Sequence, residues 1–125
     1  CEIRTSVLPD EAVALHAALL AKPAADLIIT TGGTGIGPRD ITPEVVKPLL
    51  TKEIPGIMEQ IRVKYGMKNP GALLSRGVAG MIGNTLIYTL PGSVKAVHEY
   101  MAEIVKTMEH TFCMLYGIDT HGKRK

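Results

Sequence analysis

At 125 residues the chain is long enough for one domain with a real core and too short for two. Its 14 Lys and Arg against 12 Asp and Glu leave a formal charge of +2, too small to argue for nucleic acid. No apolar run approaches membrane-spanning length and no signal peptide is visible, so a cytoplasmic protein that engages neither membrane nor nucleic acid is expected.

In chain order, Ile3 to Leu8 predicts a short strand from its β-favouring residues. Pro9-Asp10-Glu11 then starts a helix carrying Val13, Leu15, Leu19 and Leu20, which Lys22-Pro23 ends. Leu27 to Thr31 predicts a second strand. Thr42 is a good helix N-cap, with Pro43 at the first helical position and Glu44 in the first turn, and the helix runs to about Lys52. Pro48 falls inside it and kinks or shortens it. Pro55-Gly56 opens a third helix with Ile54, Ile57, Met58, Ile61 and Tyr65 on one face and Gly66 as C-cap. Ala72 to Met81 and Thr85 to Leu90 predict two strands joined by a tight turn at Gly83-Asn84. Val97, Met101, Ile104, Val105, Met108, Phe112 and Leu115 form one apolar stripe on a last helix, from about Ser93 to Tyr116. Residues 117–125 read as a loose tail, with Lys123 to Lys125 as a solvated basic cluster.

No internal repeat or linker divides residues 1–125, so a single domain is expected. The order β-α-β-α-α-β-β-α predicts an α/β domain of three αβα layers, its sheet mostly parallel with an antiparallel hairpin. Ligands of such sheets sit beyond the carboxyl ends of the strands. Parallel winding places three chemically rich turns on that edge: Pro9-Asp10-Glu11, Gly32 to Asp40, and Pro91-Gly92-Ser93.

The densest stretch is Asp26 to Glu44, DLIITTGGTGIGPRDITPE. A buried strand ends in a glycine run, a carboxylate comes next at Asp40, and a capped helix begins. Bare backbone amides feeding a helix start suit nucleotide phosphates, and a carboxylate beside phosphates usually holds Mg2+. No Gly-Lys-Ser/Thr is present after the glycines, so this is not a Walker A loop. Counting from Gly33 and Gly35, the third glycine of a dinucleotide fingerprint falls on Pro38, so that pattern fails too. His98-Glu99 is no metalloprotease motif, because its second histidine would fall on Ala102. Cys1 and Cys113 make no disulfide framework.

These residues resemble the MogA/MoaB family of molybdenum cofactor biosynthesis, the molybdopterin adenylyltransferases, which include the G domains of gephyrin. Five pieces match in order: Leu8-Pro9-Asp10-Glu11; the long Asp26 to Glu44 signature; Glu53-Ile54-Pro55-Gly56; Leu74-Ser75-Arg76 with Gly80 beyond it; and Leu90-Pro91-Gly92-Ser93 with Lys95-Ala96-Val97. Val94 stands where the family often has Pro, and Ile82-Gly83 lacks a basic residue often found there. The family's opening strand, its Ser-Asp-Arg loop and its D-x-S-G turn are not among these residues. The natural polypeptide is therefore expected to extend N-terminally by roughly 40 to 60 residues, about one βαβ unit plus a loop.

The resemblance implies transfer of AMP from Mg-ATP to the terminal phosphate of molybdopterin, with Mg2+ as cofactor. It also implies a homotrimer and hand-over of the product to a molybdenum insertase. Asp10 and Asp40 match the aspartates tied to catalysis, with Asp40 the metal ligand. Gly32, Gly33, Thr34, Gly35, Arg39 and Thr42 would serve the nucleotide and its phosphates. Ser75, Arg76, Pro91, Gly92 and Ser93 would serve the pterin and its phosphate. Asp10 and Ser93 are also readable as helix N-caps, and Arg76 as a surface ion pair. The alternative function is a non-catalytic molybdopterin-binding or scaffold protein of the same fold.

Overall fold

The computed structural model describes residues 1–117. Of the expected tail over 117–125, residues 118–125, with the basic cluster Lys123 to Lys125, lie outside them. Among the described residues four strands, β1 (Leu27–Thr31), β2 (Lys52–Glu53), β3 (Ala79–Ile82) and β4 (Thr85–Leu90), form one sheet in the order β1-β4-β3-β2. Strand β1 pairs with β4 in parallel, from Leu27 opposite Leu86 to Thr31 opposite Leu90. The β3–β4 and β2–β3 pairs are antiparallel. The α-helices of the described residues flank the sheet: α1 (Ala12–Leu19), α2 (Thr42–Val46), α3 (Pro55–Gly66) and α4 (Val94–Leu115).

Strand β4 is buried along its whole length, so its two faces build two cores. Leu86, Tyr88 and Leu90 pack with Met58 and Ile61 of α3 and with Tyr100 and Ile104 of α4. Ile87 points the other way and packs with Leu15 and Leu19 of α1, Val46 of α2 and Val78. Alternation along one strand thus sorts the helices onto opposite faces and gives the α/β three-layer arrangement. Thr89 stays polar in this interior because its hydroxyl both accepts from the Val78 amide at 2.7 Å and donates to the Val78 carbonyl at 3.0 Å, just before the start of β3. The hairpin turn has Gly83 at φ +59° and no positive φ at Asn84, the pattern of a type II′ turn.

Several boundaries depart from the sequence reading. Residues 3–8 form no strand. Ile3 and Val7 are exposed, and β propensity without a ladder partner does not make a strand. Helix α1 starts later than expected, with Glu11 rather than Asp10 at the N-cap position. Ile41 holds the cap position of α2, Thr42 is already helical, and Pro48 converts the chain to a 3₁₀ turn over Lys47–Leu49. Gly66 is the last residue of α3 and Met67 its cap. Pro70–Leu74 is a 3₁₀ helix rather than the start of β3, because Asn69 caps it by accepting from the Gly71 amide at 3.1 Å. On α4, Val105 and Leu115 of the expected stripe are exposed, while Tyr100 is buried.

Candidate functional site

Parallel pairing of β1 and β4 brings both strands out at the same end of the sheet. The loops that leave the two strands therefore lie side by side. The Gly32 amide donates to the Leu90 carbonyl at 2.8 Å, which ties the glycine loop to the Pro91-Gly92-Ser93 turn. Between them opens a cavity of about 480 Å³. Gly32, Gly33, Thr34, Gly35 and Asp40 line one side of it. Pro91, Gly92, Ser93, Lys95, Glu99 and Tyr100 line a second. Ile61 and Tyr65 of α3, with Asn69, Gly71, Ala72, Leu74 and Ser75 around the 3₁₀ helix, complete the wall.

The loop is held so that its amides stay free. Gly32 and Gly33 have φ of +91° and +75°, conformations that glycine reaches without strain. A Cβ on Gly33 would collide with the Thr42 hydroxyl. That hydroxyl donates to the Gly32 carbonyl at 3.2 Å, and the Thr42 amide donates to the Gly33 carbonyl at 3.1 Å. The carbonyls of Gly32, Gly33, Thr34 and Gly35 are thus all engaged, the last two by Arg76. Among the described residues, the backbone N–H groups of Gly33, Thr34, Gly35 and Ile36 have no hydrogen-bond partner. Consecutive unpaired N–H groups on a glycine loop form a concavity for an anion.

Asp40 closes the loop. Its Oδ2 accepts from the Gly37 amide at 2.8 Å, while Oδ1 has no hydrogen-bond partner among the described residues. Those residues hold no cluster of three or more His, Cys, Asp or Glu able to enclose a metal. The donor set fits a hard cation shared with phosphate oxygens and water, not a self-contained metal cage. Lys95 is the one Lys or Arg lining the cavity among the described residues. On the opposite wall, the Tyr100 hydroxyl donates to Ser75 Oγ at 3.2 Å, and Ser75 Oγ donates to Thr34 Oγ1 at 3.5 Å. Ser93 caps α4 by accepting from the Ala96 amide at 3.2 Å.

Residues 2–110 match the model of a family described as a probable molybdopterin binding domain. The chain belongs to the MogA/MoaB family. It is 53% identical over 83 residues to a molybdenum cofactor biosynthesis protein B of Staphylococcus aureus, covering 65% of this chain and 49% of that protein. It is 39% identical over 120 residues to a molybdenum cofactor biosynthesis bifunctional protein of Chlorobaculum tepidum, covering 94% of this chain and 38% of that one. The crystal structure of a molybdopterin biosynthesis enzyme MoaB from Thermus thermophilus superposes with a TM-score of 0.77 at 41% identity, covering 87% of this chain and 70% of the other. The chain therefore spans about half or less of the length of the first two relatives, and more of the solved structure.

Set against the residues that the MogA/MoaB resemblance singles out, the cavity gathers Gly32, Gly33, Thr34, Gly35, Asp40, Ser75, Pro91, Gly92 and Ser93. Four others stand elsewhere. Asp10 is exposed in the bend before α1 and does not line the cavity. The turn at 9–11 does not join the other two at the sheet edge, because no strand over 3–8 carries it there. Arg39 is exposed at the loop tip. Thr42 and Arg76 grip the loop without lining the cavity. Asn69, Lys95, Glu99 and Tyr100 line it and were not among the sequence candidates. On α4, Tyr100 lies seven residues after Ser93 and Glu99 four after Lys95, so helical spacing brings these two adjacent rows to the site, while Asn69 depends on a 3₁₀ helix hidden under a strand-like sequence.

Among the described residues no helix is long and apolar enough to cross a membrane.

Proposed function

We propose that this domain is a molybdopterin adenylyltransferase, which transfers AMP from Mg-ATP to the terminal phosphate of molybdopterin. The observation that carries the reading is the run of unpaired amides that starts at Gly33, three of them on the cavity-lining residues Gly33, Thr34 and Gly35, beside the carboxylate of Asp40 on the same cavity. The reaction joins two polyanions, so positioning and charge neutralisation supply most of the catalysis. A phosphate oxygen of molybdopterin attacks the α-phosphorus of ATP, the bond from that phosphorus to the bridging oxygen breaks, and pyrophosphate leaves. No covalent enzyme intermediate is needed. The loop amides would bind phosphate oxygens of the nucleotide, and Lys95 would face phosphate from the opposite wall. Ser75, Gly92 and Ser93 would receive the pterin side. Asp40 would hold Mg2+ through its free oxygen, and the ion when bound supplies neutralisation of phosphate charge. On the same family grounds the protein is a trimer whose product passes to a molybdenum insertase. A sedimentation run showing only monomer at micromolar concentration would remove the trimer.

The test is incubation of the protein with molybdopterin, ATP and Mg2+, with detection of adenylylated molybdopterin and pyrophosphate. Formation of both, dependent on Mg2+, is expected. Tight binding of molybdopterin with no uptake of ATP by calorimetry would replace the enzyme with a pterin-binding module.

A further inference from the structure

Arg76 is the most heavily engaged side chain near the cavity, and it faces the loop rather than the ligand space. Its Nε donates to the Gly35 carbonyl at 2.8 Å and its Nη2 to the Asp40 carbonyl at 2.9 Å. Nη1 and Nη2 together clasp the Glu44 carboxylate, the latter at 3.2 Å. Its backbone amide donates to the Thr34 carbonyl at 2.8 Å. Arg76 and Glu44 line a separate shallow depression with Pro43, Lys47, Pro48 and Val78. Each partner also favours the charged form of the other: Glu44 is held below the ordinary carboxylate range chiefly by its bond to Arg76, and Arg76 is raised chiefly by Glu44.

We propose that Arg76 and Glu44 form a positioning brace that orients the amides of the glycine loop, and that Arg76 is not itself a phosphate ligand. A trans peptide is planar, with its C=O and N–H pointing in opposite directions. Fixing the Thr34 carbonyl therefore turns the Gly35 N–H away from Arg76, and fixing the Gly35 carbonyl does the same for Ile36. These are two of the four amides left without a protein partner. The hold on the Asp40 carbonyl fixes the far end of the loop, where the Asp40 carboxylate is anchored. A planar fork can reach two carbonyls and a carboxylate at once, which a lysine ammonium cannot reproduce. Glu44 keeps the fork in place from the first turn of α2. Its side chain is 57% exposed, so its loss leaves both cores intact.

The inference rests on the nucleotide reading of the cavity, and two measurements separate the two ideas. In ligand-free protein, amide order parameters of Ile36 and Gly37 should fall from about 0.85 to below about 0.6 in both Glu44→Ala and Arg76→Lys, with β4 and α4 unchanged; Gly35 keeps its hold, because the Arg76 main-chain amide still donates to the Thr34 carbonyl. Mg-ATP affinity should fall about tenfold in each single variant and no further in the double variant, as for two residues acting as one unit. A direct phosphate ligand predicts the opposite sign for one of them: Glu44→Ala would free the guanidinium and tighten Mg-ATP. That result, or loop order unchanged in both variants, overturns the brace. Should the parent protein bind no Mg-ATP while the loop loosens in both variants, the brace stands and the nucleotide reading falls.

Discussion

Replacing Gly35 with Ala strikes the site through a single methyl group. Gly35 has no positive φ, so the backbone tolerates alanine there. The new Cβ would lie 2.8 Å from Asp40 Oδ2 and 3.4 Å from its Cγ. Carbon and oxygen do not rest that close, so the carboxylate must retreat by at least about half an ångström. Retreat by that much lengthens its 2.8 Å bond from the Gly37 amide to as much as about 3.3 Å, at the weak end of the range. A hydrogen bond to a charged acceptor is worth about 1.5–3 kcal/mol, which bounds the cost of weakening this one. The displaced carboxylate should also slow the reaction, since a misplacement of about 1 Å can cost about 10²-fold. Gly35→Ala should therefore lower adenylyl transfer by about ten- to a hundredfold and weaken Mg-ATP in calorimetry. Gly56→Ala is the matched control. A Cβ on Gly56, in the first turn of α3, meets nothing within 4 Å. It should stabilise the fold by about 0.4–1 kcal/mol and leave transfer unchanged. A Gly35→Ala protein with parental turnover and affinity would refute the claim that the Asp40 position matters to the chemistry.

Asp40→Asn keeps the shape and the bond to Gly37 but removes the charge, so transfer should be lost while the melting temperature stays within a few degrees of the parent; turnover at the parental rate under saturating Mg2+ would discount Asp40 as the metal ligand. Glu103 on α4 sits between Lys64 at 2.7 Å and Lys106 at 3.0 Å and accepts from the Tyr65 hydroxyl at 3.2 Å, and the two lysines hold its pKa down to about 2. A depressed carboxyl stabilises the fold above its ordinary value near 4.5, and that contribution fades as pH falls toward 2. Urea midpoints should show this loss in the parent and a flatter profile in Glu103→Gln. Ile104→Ala empties a fully buried position between α4 and the sheet and should cost about 2–5 kcal/mol in urea unfolding, with binding retained in the folded fraction.

Legibility from sequence tracked the reach of the forces involved. Strands β1 and β4 fall at the predicted residues, and α4 within one residue of its predicted start and end, because their signals are local and redundant. In β4 the apolar run, the Gly83-Asn84 turn and the Pro91-Gly92 stop agree with one another. Where signals conflicted, the reading failed. Leu73 and Leu74 look like strand, yet Asn69-Pro70 one turn earlier supplies a cap and a first helical proline, and the 3₁₀ helix wins. Strand β2 is two residues long and exists only because Lys52 and Glu53 lie opposite Met81 and Gly80. No local pattern encodes a partner so far along the chain.

The site divides along the same line. Glycines and a carboxylate announce themselves in sequence because few structural roles need them so densely, and Gly32 to Gly35 with Asp40 do form one wall of the cavity. What the sequence could not distinguish is which side of that wall a residue stands on. Arg76 and Ser75 are adjacent in the chain, and both looked like ligands. In the fold, Ser75 lines the cavity and meets Tyr100, while Arg76 reaches behind the loop to Gly35, Asp40 and Glu44. Neighbouring residues leaving a 3₁₀ helix in extended backbone point to opposite sides. The assignment of one to the ligand and the other to the scaffold therefore depends on the register at Ser75, which is set by the Asn69 cap and the length of the 3₁₀ helix. A one-residue change there would exchange their roles and leave a fixed positive charge facing the ligand in place of a hydroxyl.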